Sequence, residues 1–312
     1  MKKVNIKGTD LNVCPIGLGT NAVGGQKYYP NITDEDGRKF LRTALKEGMD
    51  FWDTAFTYGP MRSEEIIGEV LEEEKARNQV VLATKAAHVF TDNGVEFDND
   101  PEFLKRAVEE SMGRLKTDFI DLFYIHFPDE DTPKYEAVGA LQELKEKGMI
   151  RAIGVSNFSP EQLAEANQDG YVDVVQDHYN LLERGAEKEF LPYVHEHGMS
   201  FVPYFPFASG MLAGKYDENT KFEEGDLRLG KPEFQGAAWK ENLQKVAKLR
   251  EIAEEKGVET AHLVLAWYLS RDEIDTVIPG AKRPEQIISN LRAAEVELDE
   301  SEIIVIDALF RD

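Results

Sequence analysis

The chain has 312 residues, 42% of them hydrophobic and 30% charged, which excludes a disordered or fibrous protein. Its 36 basic and 59 acidic residues leave a net charge of −23, the opposite of the basic footprint that nucleic acid or an anionic membrane surface requires. The single cysteine, Cys14, excludes an internal disulfide framework and Cys-pair metal sites, and in the apolar stretch Val13-Cys14-Pro15-Ile16 it reads as a buried, inert thiol.

Residues 1–13 lack the hydrophobic region of a signal peptide, and residues 4–13 predict a hairpin turning at Gly8-Thr9-Asp10. Strand-like and helix-like segments then alternate. An apolar run at 13–18 precedes an amphipathic stretch at 35–47. Runs at 49–53, 79–84, 120–125, 150–155 and 172–176 precede helices at 63–74, 101–115, 133–147, 160–168 and 186–197. The run at 199–204 precedes a loop from 205 to 236 and helices at 239–255 and 260–269. Residues 274–278 precede 284–293, and an amphipathic piece at 301–309 ends the series. Pro101, Pro160 and Pro284 mark helix starts, and Gly48, Gly148, Gly198 and Gly257 mark helix ends. Eight apolar strands, each followed by a helix, predict an α/β protein with a (β/α)8 (TIM) barrel, an N-terminal β-hairpin and a long lid loop after the seventh strand. No linker interrupts the pattern, so residues 1–312 read as a single domain. No apolar run approaches the roughly 20 residues of a membrane span, so a soluble, cytoplasmic protein is expected.

Gly17-Leu-Gly19-Thr-Asn-Ala22 matches a dinucleotide fingerprint, but that reading needs a helix to open there. Gly24, Gly25, Tyr28, Tyr29 and Pro30 block one. Gly19, Thr20 and Asn21 read instead as lining of the barrel mouth.

In such a barrel, chemistry belongs at the C-terminal ends of the strands. The second strand ends in Asp53 and leads to Tyr58, the third ends in Lys85, and the fourth leads to His126. Asp53 alone can cap a turn, Lys85 can be a solvated strand end, and His126 can be a satisfied core histidine. Their convergence on three successive strand ends argues for a site. A tyrosine has an ordinary pKa near 10. A neighbouring ammonium favours its phenolate, so Lys85 is expected to lower the pKa of Tyr58, with Asp53 holding Lys85 charged. Tyr58 then suits general-acid work on a carbonyl oxygen, with His126 hydrogen-bonding that oxygen. Phe56, Phe127, Phe205 and Phe207 are candidates for an apolar pocket.

Asp53-Thr-Ala-Phe-Thr-Tyr58-Gly, Lys85 and His126 resemble the catalytic tetrad of the aldo-keto reductase family, in the branch that includes inositol-linked and general-stress reductases and potassium-channel β subunits. Gly154-Val-Ser156-Asn157 resembles its nicotinamide-amide motif, and Gln176 and Tyr204 stand where the family holds the carboxamide and stacks an aromatic ring. Ile278-Pro-Gly280-Ala-Lys282-Arg283-Pro-Glu-Gln286 resembles its adenosine-phosphate segment. The resemblance covers essentially the whole chain. It implies reduction of aldehydes and ketones to alcohols by hydride transfer from NADP(H), with Tyr58 as proton donor. It implies cofactor contacts at Gly19, Thr20, Asn21, Ser156, Asn157, Gln176, Tyr204, Pro206, Ser209, Gly210, Leu212, Lys215, Gly280, Lys282, Arg283, Gln286 and Asn290. Lys282 and Arg283 at a helix start suit a 2′-phosphate. No metal is expected, and the partner is a small-molecule carbonyl substrate rather than nucleic acid or a membrane.

Two rivals stand beside this. A glycoside hydrolase on the same barrel needs two facing carboxylates, and Asp53 is the sole carboxylate read at a strand terminus. A cofactor-binding redox sensor or regulatory subunit shares the site but has little turnover.

Overall fold

A computed structural model describes residues 2–25 and 29–311. The elements in chain order are β1 (Val4–Asn5), β2 (Asn12–Val13), β3 (Leu18–Gly19), α1 (Asp34–Glu47), β4 (Phe51–Asp53), α2 (Arg62–Glu73), β5 (Val81–Ala86), β6 (His88–Thr91), β7 (Gly94–Phe97), α3 (Pro101–Leu115), β8 (Ile120–Ile125), α4 (Lys134–Glu146), β9 (Ile150–Ser156), α5 (Pro160–Ala166), β10 (Val174–His178), α6 (Ala186–Glu189), α7 (Leu191–Glu196), β11 (Ser200–Tyr204), α8 (Gly236–Lys256), α9 (Thr260–Leu269), α10 (Pro284–Leu291) and α11 (Glu300–Phe310). Seven of the strands form one parallel, curled sheet in the order β3-β4-β5-β8-β9-β10-β11. This is consistent with the expected barrel.

Strand periodicity sorts the side chains. Phe51, Ala83, Leu122, Tyr124, Ala152, Val174 and Val202 share the inner face, while Trp52, Leu82, Phe123, Ile153, Val175 and Phe201 face the helices. The hairpin β1/β2 pairs antiparallel, as expected, and turns through Gly8 at φ +78°. Its Ile6, Leu11 and Val13 are buried against the inner-face residues, so the hairpin packs into the N-terminal end of the sheet. Cys14 is buried, and burial pushes its thiol up to about 11. Helix ends follow the local chemistry: Thr33 and Asp36 form a reciprocal capping box before α1, and Gly48 ends α1 in the left-handed region.

Three features differ from expectation. The segment 274–278 does not form a ladder. Val277 bridges Ile16 just before β3, Gly280 beyond the segment bridges Gly19 of β3, and Phe201 of β11 donates to the carbonyl of the preceding Glu273 at 2.7 Å. Pro279 and Pro203 carry no N–H, which limits pairing along this seam. The helix expected at 186–197 is two short pieces, α6 and α7, divided at Phe190 with Pro192 in the first turn of α7. The segment between β5 and α3 forms an unexpected hairpin, β6/β7. The loop 205–235 carries short 3-10 turns at Ala208–Ala213, Leu227–Gly230 and Pro232–Phe234. Among the described residues, no helix is long and apolar enough to cross a membrane.

Gly154 sits beside Tyr124 on the inner face. A Cβ there would lie 2.1 Å from the Tyr124 ring, so the tyrosine fills the space that a side chain would need. Gly154→Ala is expected to destabilise the protein by about 1–3 kcal/mol through overpacking. Gly139→Ala in α4, where a Cβ meets nothing within 4 Å, is expected to be neutral or stabilising. Urea midpoints of the two variants check this.

Candidate active site

The inner-face parity that buries Phe51 and Ala83 brings Asp53 and Lys85 to the same face two residues later. Both are fully buried, and the Lys85 ammonium donates to Asp53 Oδ1 at 2.5 Å and to the Thr54 carbonyl at 2.8 Å. Gln176, at the same depth on β10, donates its amide to Asp53 Oδ2 at 3.0 Å. Burial pulls Lys85 below its ordinary range, and Asp53 opposes that shift.

Tyr58 lies in the turn after β4. Backbone pairing runs past the strand, with Phe56 N–H donating to the Lys85 carbonyl at 3.0 Å, and Ser63 N–H ties the Tyr58 carbonyl to the start of α2 at 3.1 Å. Gly59 follows at φ +68°, and a Cβ there would lie 2.1 Å from the Gly24 carbonyl oxygen, so this turn admits only glycine after Tyr58. The Tyr58 ring centroid is 5.3 Å from Lys85 Nζ and 6.2 Å from the His126 ring, which it meets edge-on. The four expected residues therefore form one cluster.

The electrostatics correct one expectation. The net shift of Tyr58 is upward: burial raises its pKa strongly, and the Asp53 carboxylate adds to that, so the phenol stays protonated. His126 is held well below its ordinary range by burial, with the Lys85 charge acting in the same direction. Both groups facing the mouth are neutral at pH 7.

A second wall comes from β6/β7, which sequence reading missed. His88 packs against His126 at 4.9 Å, Phe97 at 5.1 Å and Phe127 at 5.3 Å, and Phe97 stacks on Phe127 at 4.8 Å. Phe90 lies 5.9 Å from Phe56. Phe56 and Phe127 thus belong to this wall. Phe205 lies instead beside Tyr204 and His178, and Phe207 packs against the main core. Asn93-Gly94 between two short β-prone runs was the available hairpin signal.

On the other side, Asn157, at φ +60°, donates to the His126 carbonyl at 2.9 Å and to Ser156 Oγ at 3.0 Å, and accepts from the Tyr204 hydroxyl at 2.7 Å. The Tyr204 ring stacks on His178 at 5.4 Å. Thr20 N–H and Oγ1 both donate to the Asp53 carbonyl at 2.9 Å. Asn21 bonds the Tyr29 hydroxyl at 3.0 Å, and a Cβ on Gly280 would lie 3.3 Å from Asn21 Oδ1, so Gly19, Asn21 and Gly280 meet at one rim. No helix opens after β3, where residues 21–24 turn; Tyr28 of the rejected fingerprint lies outside the described residues.

The loop after β11 contains a left-handed run, Ala208, Ser209 and Gly210. The Pro206 carbonyl accepts from Tyr268 at 3.0 Å, Leu212 is buried, and Ser209 Oγ accepts from Lys231 at 2.8 Å. Lys215 is exposed beside Gly214, whose carbonyl is held by Arg250 of α8 at 2.9 Å. Lys282 covers the Tyr29 ring at 4.7 Å and lies close enough to Arg228 for their charges to repel. Arg228 is paired with Asp226, which holds that carboxyl down at about 2. Arg283 is exposed at the start of α10, Gln286 accepts from the Lys282 N–H at 2.8 Å, and Asn290 is buried in the same helix. Arg228 and Lys231 were not expected, because nothing local in a loop sequence shows where it folds back.

One carboxylate was missed at a strand end. Asp177 lies in β10, raised by burial to about 6, but it alternates with Gln176 and bonds the His178 N–H at 2.6 Å. It does not face Asp53, so no two-carboxylate pair is made.

His88 titrates at about 4 in the folded chain, lowered from 6.5 by burial. Between those values an unfolded chain binds more protons, so its contribution to stability falls as pH drops from about 6.5 towards 4. Asp177 acts in the opposite direction. His88→Phe is therefore expected to lose less stability than the wild type between pH 7 and pH 5, read as the shift in urea midpoint.

The family model for the Aldo/keto reductase family matches residues 15–311. The chain is 37% identical over 289 residues to the aldo-keto reductase YhdN of Bacillus subtilis, covering 92% of this chain and 87% of that one. It is 32% identical over 322 residues to the NADH-specific methylglyoxal reductase of Escherichia coli, covering 97% and 96%. The structure of the glycerol dehydrogenase AKR11B4 from Gluconobacter oxydans superposes with a TM-score of 0.90 at 33% identity, covering 99% of this chain and 94% of that one.

Proposed function

The chain belongs to the aldo/keto reductase family, and from that premise we propose that it is an NADPH-dependent reductase of aldehydes and ketones in which Tyr58 donates the proton. The observation that carries this reading is the buried Lys85–Asp53 pair beneath a protonated tyrosine, with a neutral histidine across from it.

A carbonyl oxygen between the Tyr58 hydroxyl and the His126 ring accepts hydrogen bonds from both. As that oxygen gains charge, the phenolic proton moves to it and the alcohol forms. The phenolate left on Tyr58 is stabilised by the Lys85 ammonium, which Asp53, Thr54 and Gln176 hold in place. His126, being neutral, orients the substrate oxygen without competing as the acid.

The chemistry that NADPH supplies when bound is a hydride for the carbonyl carbon. The residues around the mouth fit such a group. Ser156, Asn157 and Gln176 offer amide and hydroxyl partners to a carboxamide, and Tyr204 offers a ring face. Gly19, Thr20 and Asn21 line the opposite rim. The left-handed backbone at Ser209 and Gly210, with Pro206, Leu212 and Lys215, suits a diphosphate as a lid over it. Lys282, Arg283, Gln286 and Asn290, beside Gly280, suit the adenosine phosphate, and Arg228 and Lys231 add charge there. Residues 1–312 act as one domain in this reading.

Tyr58→Phe is expected to lose at least 100-fold in kcat for an aromatic aldehyde and still quench its intrinsic fluorescence on NADPH addition. Turnover within a few-fold of wild type removes Tyr58 from the role. Changing Lys282 and Arg283 together to Ala is expected to raise the Kd for NADPH by tenfold or more and that for NADH by much less. Equal weakening of both cofactors refutes the phosphate assignment.

A further inference from the structure

On the β10/β11 side of the mouth, one ring is gripped by contacts that the site described above does not use. His178 ends β10 and stands opposite Tyr204, the last residue of β11, in the parallel ladder. The two rings stack at 5.4 Å with 11° between their planes, and Phe205 meets both nearly at right angles. Both nitrogens of the His178 ring are tied. Asn180 Oδ1 accepts from the backbone N–H groups of Leu182 at 2.9 Å and Glu183 at 3.1 Å, which fixes the sense of its amide. Its Nδ2 therefore donates to His178 Nε2 at 3.2 Å. The ring hydrogen then lies on Nδ1, 3.1 Å from the Glu183 carboxylate. Asn180 and Glu183 are themselves locked by two backbone hydrogen bonds, at 3.1 and 2.9 Å. A closed turn thus holds the edge of an imidazole at two points, and bonds to ring nitrogens lie in the ring plane, so the grip fixes that plane.

Tyr204 is tied at its far end. Its hydroxyl donates to Asn157 Oδ1 at 2.7 Å, and Asn157 donates to the His126 carbonyl at 2.9 Å. A hydroxyl bond alone lets a phenol ring rock about its long axis; a stacked neighbour removes that freedom. Resting on the reductase reading above, in which Tyr204 offers a ring face to the nicotinamide, we propose that His178 is a positioning residue: held by Asn180 and Glu183, it fixes the plane of Tyr204 and with it the plane against which the nicotinamide is held for hydride transfer. It acts through Tyr204 and takes no part in the chemistry. Transfer between two bound groups depends steeply on their placement, and a misplacement of about 1 Å can cost on the order of 100-fold.

The test compares the wild type with His178→Ala, His178→Phe and His178→Gln. Single-turnover oxidation of NADPH by para-nitrobenzaldehyde reads the hydride step. Calorimetry gives the Kd for NADPH and for 2′-phospho-ADP-ribose, which is the same cofactor without its nicotinamide. His178→Ala is expected to slow hydride transfer about tenfold or more, to raise the Kd for NADPH about threefold or more, and to leave that for phospho-ADP-ribose within about twofold. His178→Phe, which keeps a flat ring, is expected to recover most of both losses, and His178→Gln, which keeps a hydrogen-bonding group without the ring, to recover little. Glu183→Ala, at a side chain that is 55% exposed, releases one point of the grip and is expected to slow the hydride step by a smaller factor; it carries the test if His178→Ala does not fold. The same measurements with NADH and ADP-ribose keep the result independent of the phosphate assignment. Weakening of both ligands alike marks a merely structural role and overturns the proposal. So does a hydride rate or NADPH affinity left at the wild-type value, or recovery by Gln rather than Phe. If the wild type oxidises neither cofactor with the aldehyde, the reductase reading fails and this inference fails with it. Wild-type turnover with an unchanged hydride rate in His178→Ala sinks the inference alone.

Discussion

The mouth of the barrel is organised around one buried ion pair, Lys85 with Asp53. Two charges removed from water are costly unless each is fully hydrogen-bonded. Here Asp53 receives Lys85 and Gln176 on its two oxygens, and Lys85 also reaches the Thr54 carbonyl. Those contacts join the neighbouring strands β4 and β5 to β10, three places from β5 in the sheet. The same pair adds to the protonation bias of the groups above it. Burial raises Tyr58 and lowers His126, and Asp53 and Lys85 reinforce those shifts in turn, leaving two neutral side chains facing the mouth. The pair thus serves as both a strut and an electrostatic reference for the site.

Much of this was legible in the sequence because strand parity is a local property. Asp53 follows Phe51 by two residues, Lys85 follows Ala83 by two, and Gln176 follows Val174 by two, so a buried inner residue places its polar successor on the same face. Helix caps were equally readable, since Thr33 and Asp36 act over three residues. The rest depended on distance. Whether Tyr58 is raised or lowered overall is a contest between a cation, an anion and burial, and only the positions of all three decide it. The hairpin β6/β7 consists of two four-residue strands, too short for periodicity to stand out, with the Asn93-Gly94 turn its only clear mark. Arg228 and Lys231 lie in a loop whose path is set by tertiary contacts such as Lys231 with Ser209.

The charge distribution is uneven in a useful way. A chain with net charge −23 repels anions at long range. Near the loop after β11, however, three cations gather, Arg228, Lys231 and Lys282, against two carboxylates: Asp226, paired with Arg228, and Glu233, 3.7 Å from Lys231. The local charge of this group is therefore positive where that of the chain is negative. Its reach is limited to about the Debye length, roughly 8–10 Å at physiological ionic strength.

The seam at residues 273–280 gives the wall of the sheet an unequal strength. Elsewhere neighbouring strands are joined by continuous ladders, such as the five paired residues of β10 and β11. Here the connection to residues 15–19 rests on isolated bridges at Ile16 and Gly19 and a few single hydrogen bonds, and Pro279 and Pro203 remove donors from the region. Local opening follows the weakest hydrogen-bonded unit. Amide protons at Gly17 and Gly19, each held by one bond across this seam, should consequently exchange sooner than those in the ladders of β8 and β9. The weakest pairing in the wall thus lies beside the rim formed by Gly19, Asn21 and Gly280, while the ion pair stands on continuous ladders.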